Sequence, residues 1–178
     1  LLTAISAPSF AASVNTQLEQ ATQSVSEKVI TWRRHLHQYP ELSNREFETA
    51  KYITEHLKSL GLEVQTGVAH TGVVAKLSGG KKGPLIALRA DMDALPVTEQ
   101  VDLPFASKQT STYRGNEVGV MHACGHDCHT AMLLGAARFL AESDEFNGTV
   151  HFIFQPAEEG RAGAKAMMED GLFDKFPC

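Results

Sequence analysis

Several things this sequence lacks narrow what it can do. No apolar run approaches the roughly 18 to 20 residues a helix needs to cross a bilayer, so no membrane partner is expected. There is no basic excess: 16 Lys and Arg stand against 21 Asp and Glu, a formal net charge of −5. Nucleic-acid binding usually requires a basic face, so that partner is not expected either. Cysteine is scarce and odd in number, at 3, which does not suit a disulfide framework. No internal repeat or low-complexity tract is visible.

What is present fits one globular domain. The 178 residues are 43% hydrophobic and 21% charged, enough for a real core and too little for two ordinary domains. The opening stretch LLTAISAPSFAAS is apolar and rich in small residues, and the first charged side chain is Glu19. Residues 1–15 therefore read as the back end of a secretory signal peptide or as a disordered tail, with 16–178 as the domain proper. A signal peptide would place the protein in the periplasm or outside the cell.

The periodicity alternates between helical and extended. Val25, Val29, Trp32 and Leu36 form one helical stripe that Pro40 ends. Ser43 and Glu46 have capping-box spacing ahead of a second helix, whose expected buried face is Phe47, Ala50, Ile53, Leu57 and Leu60, with Gly61 as its left-handed cap. Leu62 and Val64 alternate, and a strand is expected over 72–77. The apolar runs at 85–88 and 150–154 read as strands covered on both faces. A helix is expected over about 127–142 and a short one after Gly163. Residues 102–119 read as a surface loop or edge strands. The pattern predicts an α/β fold with a mostly parallel sheet.

Three polar clusters adjoin these elements: RADMDALP at 89–96, HACGHDCH at 122–129 and QPAEEG at 155–160. In open α/β sheets ligands bind beyond the carboxyl ends of strands, so the three are expected to build one composite site. Cys124 and His126 flank a residue without a side chain, and both can turn toward one cation. The alternatives are a small buried thiol beside core histidines, or a zinc knuckle, which normally needs a second Cys/His pair that this chain does not offer. Glu158 and Glu159 follow an expected strand. Adjacent extended side chains point opposite ways, so one carboxylate could bind metal while the other moves a proton. A solvated Glu-Glu pair is the plainer reading, weakened by the Cys-His cluster. Asp91 and Asp93 could ligate, orient a histidine, or simply form a turn.

These segments, in this order, resemble the co-catalytic metallopeptidase and amidohydrolase family of hippurate hydrolases, N-acyl-amino-acid amidohydrolases, indole-acetyl-amino-acid hydrolases and related carboxypeptidases. The resemblance runs from about residue 28 to 176 and rests on WRRHLHQYPELSNREFETA, RADMDALPV, GVMHACGHDCHTAMLLGAA and FIFQPAEEGRAGAKAMMEDGLF. It implies a three-layer, zinc-peptidase-like catalytic domain and metal-dependent cleavage of N-acyl amino acids or small peptides. By the same resemblance Cys124, His126 and Glu159 are metal ligands, with Cys124 a possible bridge between two ions. Glu158 is the general base, and Asp93 is the acidic residue held near the site. His122 and His129 have no clear ligand role, and Cys128 has no required thiol role. The implied cofactor is a pair of divalent ions, zinc, manganese, cobalt or nickel. Family members are longer, with further ligand histidines and a lid domain through which a homodimer can form. On that pattern 16–178 is expected to be the front of a catalytic domain, inactive by itself. The alternative is a truncated, non-catalytic metal-binding domain of the same fold.

Overall fold

The computed structural model describes residues 10–143 and 146–178. The expected leader or tail falls partly on residues 1–9, outside the described residues, while residues 10–15 begin the first helix. That helix, α1 (Phe10–Gln38), is followed by α2 (Phe47–Ser59), β1 (Glu63–Val68), β2 (Gly72–Ser78) and β3 (Leu85–Asp91). Next come the short strands β4 (Thr110–Tyr113) and β5 (Asn116–Gly119), then α3 (His126–Ala141), β6 (Thr149–Gln155), α4 (Gly163–Glu169) and α5 (Leu172–Lys175). No helix among the described residues is long and apolar enough to cross a membrane.

The main sheet has the order β1-β2-β6-β3 and lies between two helical layers. Strand periodicity divides its side chains between them. Val73, Ala75, Phe152 and Phe154 pack toward Trp32 and Leu36 of α1, Ile53 and Leu57 of α2, and Leu134 of α3. Val74 and Ile153 point the other way, onto Met167 of α4 and Leu172 of α5. The three-layer α/β architecture expected from the sequence is present.

The sheet is mixed rather than mostly parallel. β1 and β2 are antiparallel, as are β2 and β6, and only β3 and β6 run parallel. The cause is connection length. β1 and β2 meet through a tight turn with Ala69 and His70 at φ 50° and 77°, which forces antiparallel pairing. β3 and β6 are joined through α3, the crossover that a parallel pair requires.

β6 is buried on both faces, as its apolar run implied. β3 is not: it has one partner among the described residues, and Leu85 and Ile86 are 48% and 46% exposed. In α2, Ile53 and Leu57 are buried as expected, but Phe47 is 63% exposed. Gly61 takes φ 79° after the helix, the expected left-handed cap. The capping box does not form. Glu46 occupies the N-cap position but makes no side-chain cap bond; its carboxylate turns inward, and so does the Ser43 hydroxyl. β4 and β5 form a separate hairpin inside the stretch read as loop or edge strands.

Candidate functional site

The parallel register pairs Asp91, the last residue of β3, with Gln155, the last residue of β6. The two acidic segments therefore leave the same edge of the sheet, and the start of α3 arrives beside them. Gly125 makes that approach possible. It sits at φ 85°, a left-handed conformation costly for residues with a Cβ. Its carbonyl accepts the Cys128 and His129 amides at 2.9 and 3.2 Å, which starts the helix.

His126 is buried and held by its Nδ1, which donates to the Asp93 carbonyl at 2.8 Å. That bond leaves Nε2 facing the cluster. Around it stand Asp91 Oδ2 at 3.5 Å, Glu158 Oε2 at 3.7 Å and Glu159 Oε1 at 3.8 Å. Burial alone would lower the His126 pKa, but the Asp93 hydrogen bond and the Asp91 charge raise it to about 9. Ligand atoms of Cys124, His126 and Glu159 all lie within 4.8 Å of one another. Cys124 is exposed; partial desolvation of its thiol, then the neighbouring Glu159 carboxylate and the charges of Glu158 and Asp91, push its pKa up. Glu159 Oε1 is buried and has no hydrogen-bond partner.

The two glutamates do not face opposite ways, contrary to the extended-segment reading. β6 ends at Gln155, and Ala157 then turns the chain at φ 54°. The turn is closed by the Gly163 amide donating to the Ala157 carbonyl at 3.0 Å. A Cβ on Gly163 would lie 1.7 Å from the Pro156 carbonyl oxygen, so only glycine allows this closure. In the turned geometry both carboxylates reach toward His126. They differ in exposure: the Glu158 side chain is 43% exposed and that of Glu159 is 19%.

Asp93 lies beneath the cluster and is almost fully buried. Its Oδ1 accepts the Glu158 amide at 3.1 Å, and its Oδ2 accepts the Glu159 amide at 3.0 Å and the Ser43 hydroxyl at 2.6 Å. Burial opposes ionisation, but hydrogen bonds from His126, Ser43 and the two amides outweigh it and hold the carboxyl below its ordinary range. Its oxygens are thus occupied in holding other groups of the site.

Sequence reasoning undervalued two features. His129 Nδ1 donates to Asp91 Oδ1 at 2.6 Å, and Asp91, His126 and His129 form a second set with ligand atoms within 4.8 Å of one another. Its signal was the i, i+3 spacing of the two histidines. Asp127, buried behind the first turn of α3, bonds His37 Nδ1 at 2.8 Å, while His37 Nε2 meets Glu99 at 2.8 Å. Arg33 Nε lies 2.9 Å from the same Asp127 oxygen, an ion pair not aligned as a hydrogen bond. Its visible trace was the i, i+4 pair Arg33 and His37 beside the apolar stripe of α1. His122 is buried with neither ring nitrogen hydrogen-bonded, and burial, only partly offset by the Asp127 charge, lowers its pKa to about 4. Cys128 and Cys178 are free thiols and belong to neither group of candidate ligands.

Comparison with known proteins gives the same direction. The model of peptidase family M20/M25/M40 matches residues 87–178. The chain is 50% identical over 152 residues to the N-acetyl-L-cysteine deacetylase of Bacillus subtilis, covering 85% of this chain and 35% of that protein. It is 48% identical over 162 residues to thermostable carboxypeptidase 1 of Saccharolobus solfataricus, covering 89% of this chain and 39% of that one. A Bacillus subtilis crystal structure described as a dinuclear metal-binding peptidase superposes with a TM-score of 0.76 at 46% identity, over 85% of this chain and 41% of the other. The chain thus spans between a third and two fifths of the length of these curated relatives.

Proposed function

Because the chain belongs to peptidase family M20/M25/M40, we propose that this cluster is the hydrolytic centre of a metal-dependent amidohydrolase that cleaves N-acyl amino acids or small peptides. The observation that carries the reading is the Glu159 oxygen: buried, without a hydrogen-bond partner, and grouped with Cys124 and His126. A carboxylate oxygen left so is costly unless a cation meets it. Thiolate, imidazole and carboxylate together suit zinc and its first-row neighbours. Cys124, His126 and Glu159 would hold one ion; a second ion belongs to the same proposal and follows the dinuclear description of the Bacillus relative. When bound, such ions supply Lewis acidity, polarising a scissile carbonyl and acidifying water.

The chain's own residues divide the remaining work. Glu158, the more exposed glutamate, takes the proton of the attacking water on its carboxylate and delivers it to the leaving nitrogen. His126 presents Nε2 because Asp93 fixes its Nδ1. The substrate classes follow from what the two curated relatives are named for, an N-acetylated amino acid and a peptide.

The test contrasts two neighbouring residues in the protein expressed from its complete reading frame. Glu158→Gln should keep its metal, measured by elemental mass spectrometry, while kcat on N-acetyl amino acids falls by about a hundredfold or more. Glu159→Gln should lose metal affinity, with activity partly restored by added metal. Full activity in both variants, or no metal-dependent hydrolysis by the unmodified protein, removes the reading.

A further inference from the structure

The turn that carries Glu158 and Glu159 hangs from two buried carboxyl groups, of which Asp93 is one. The other is Glu46, at the start of α2 and wholly inaccessible to solvent. Its Oε1 accepts the Ala157 amide at 2.9 Å, and its Oε2 accepts the Thr71 hydroxyl at 2.6 Å, in the turn between β1 and β2. Pro156 has no amide hydrogen, so 157, 158 and 159 are the first three donors after β6. Glu46 takes the first, and Asp93 takes the next two at 3.1 and 3.0 Å. Ala157 is also the residue at φ 54°, a conformation that needs its surroundings to hold it.

We propose that Glu46 is a positioning residue for the hydrolytic centre, clamping the 157–159 turn together with Asp93 and so setting the direction in which both glutamates leave the backbone. The inference rests on the functional reading of the site above. A purely architectural role is the poorer explanation. Among the described residues Glu46 has no ion-pair partner, and burial pushes its carboxyl up against the hydrogen bonds from Thr71, its own backbone, Ala157 and Asn44. An apolar side chain of similar volume would serve packing at lower cost. What only an acceptor supplies is the hold on Ala157.

The test compares three substitutions in the protein expressed from its complete reading frame. Glu46→Leu keeps volume and removes the acceptor. Glu46→Gln keeps an oxygen for Ala157, and the Thr71 hydroxyl can reverse to accept from the new amide. Thr71→Val removes the other contact and leaves the hold on Ala157. Glu46→Leu should speed hydrogen exchange of the 157–159 amides in metal-free protein at least tenfold. It should weaken zinc binding about 10- to 100-fold, the usual range for groups that orient ligands, and lower kcat with KM within about threefold. Glu46→Gln should behave like the unmodified protein, and Thr71→Val should lower Tm alone. If Glu46→Leu does not fold, Glu46→Asp, one methylene short of Ala157, should show the same losses. A folded Leu or Asp variant with zinc affinity and kcat within about twofold of the unmodified protein overturns the proposal. Equal losses in Thr71→Val overturn it too. If the unmodified protein hydrolyses nothing, the functional reading fails separately, and unchanged amide exchange in Glu46→Leu still decides against the clamp.

Discussion

Asp93→Asn tests whether the site is built on charge or only on shape. Each carboxylate oxygen accepts a backbone amide that cannot rotate away, Glu158 on Oδ1 and Glu159 on Oδ2. Asparagine is nearly isosteric, but whichever way it is turned, its NH2 meets one of those amides, donor against donor. One buried amide is then orphaned, at about 1–3 kcal/mol, and the two surviving bonds each lose roughly 1 kcal/mol when their acceptor loses its charge. The expected loss is about 3–5 kcal/mol, a large part of the roughly 5–15 kcal/mol that holds a typical domain together. In urea, with a slope of about 2 kcal/mol per M, the midpoint should fall by about 1.5–2.5 M. The unfolding should be followed in chelator so that bound metal adds nothing. Ser43→Ala, which removes one neutral donor from the same carboxylate, should cost only about 1 kcal/mol. A midpoint shift below about 0.5 M for Asp93→Asn would mean that the two amides are satisfied some other way, and the scaffold role argued for Asp93 would fall.

His122 gives a pH prediction. Its folded pKa of about 4 lies below the ordinary 6.5, so its stabilising effect is full above pH 6.5 and is lost as pH falls toward 4, by about 3 kcal/mol in all. The stability difference between His122→Leu and the unmodified protein, both metal-free, should shift by that amount in favour of the variant between pH 7 and pH 4; a constant difference refutes it. The exposed Leu85 and Ile86 on β3 give another. Expressed as these 178 residues alone, the chain should self-associate through that edge, and Leu85→Lys should reduce association at a stability change of about 0.5 kcal/mol or less. Sedimentation showing a monodisperse monomer at high concentration would contradict this.

The positions of helices and strands read from local pattern match the structure, whereas coverage, capping and side-chain direction were decided by distant partners. The helix expected over about 127–142 located α3 within a residue at each end, because a helix records its buried face in its own spacing. The run 150–154 gave β6 for the same reason. The similar run at 85–88 misled, since apolar composition reports what a strand can bury, while its coverage depends on which elements pack on it. Parallel against antiparallel pairing was decided by the tight 69–71 turn, whose two positive-φ residues, Ala69 and His70, are not the usual Gly or Asn. Ser43 and Glu46 had the spacing of a capping box. They were drawn inward by Asp93, 50 residues on, and by Ala157, 111 residues on, and no local rule reaches that far. The convergence of Cys124, His126 and Glu159 was legible because each segment adjoined a strand end or helix start. The direction of Glu158 was not, because it follows from the turn at Ala157 rather than from the strand before it.

The electrostatics of the cluster separate its acids into two kinds, and the separation argues for the charge of what binds there. Asp93 and Glu46 are buried and supplied with hydrogen-bond donors on both oxygens; fixed dipoles outweigh burial at Asp93, whereas burial still pushes the Glu46 carboxyl up. Asp91, Glu158 and Glu159 instead converge on one imidazole nitrogen, at 3.5, 3.7 and 3.8 Å. Because Nδ1 of His126 already donates to the Asp93 carbonyl, its second proton must sit on Nε2; against burial, the hydrogen bonding to Asp93 and then the Asp91 charge raise its pKa to about 9, so a positive charge is favoured at that point. The Nε2 proton balances one carboxylate and Arg89 Nη1, 3.1 Å from Asp91 Oδ2, balances another, which leaves one of the three unmatched. The Cys124 thiol beside them resists ionisation through its partial desolvation and because a further negative charge would meet Glu159, Glu158 and Asp91. A monovalent ion would still leave the set short. A divalent ion in the place of the Nε2 proton would relieve the carboxylates, make a thiolate at Cys124 favourable, and give the orphaned Glu159 oxygen the partner it lacks.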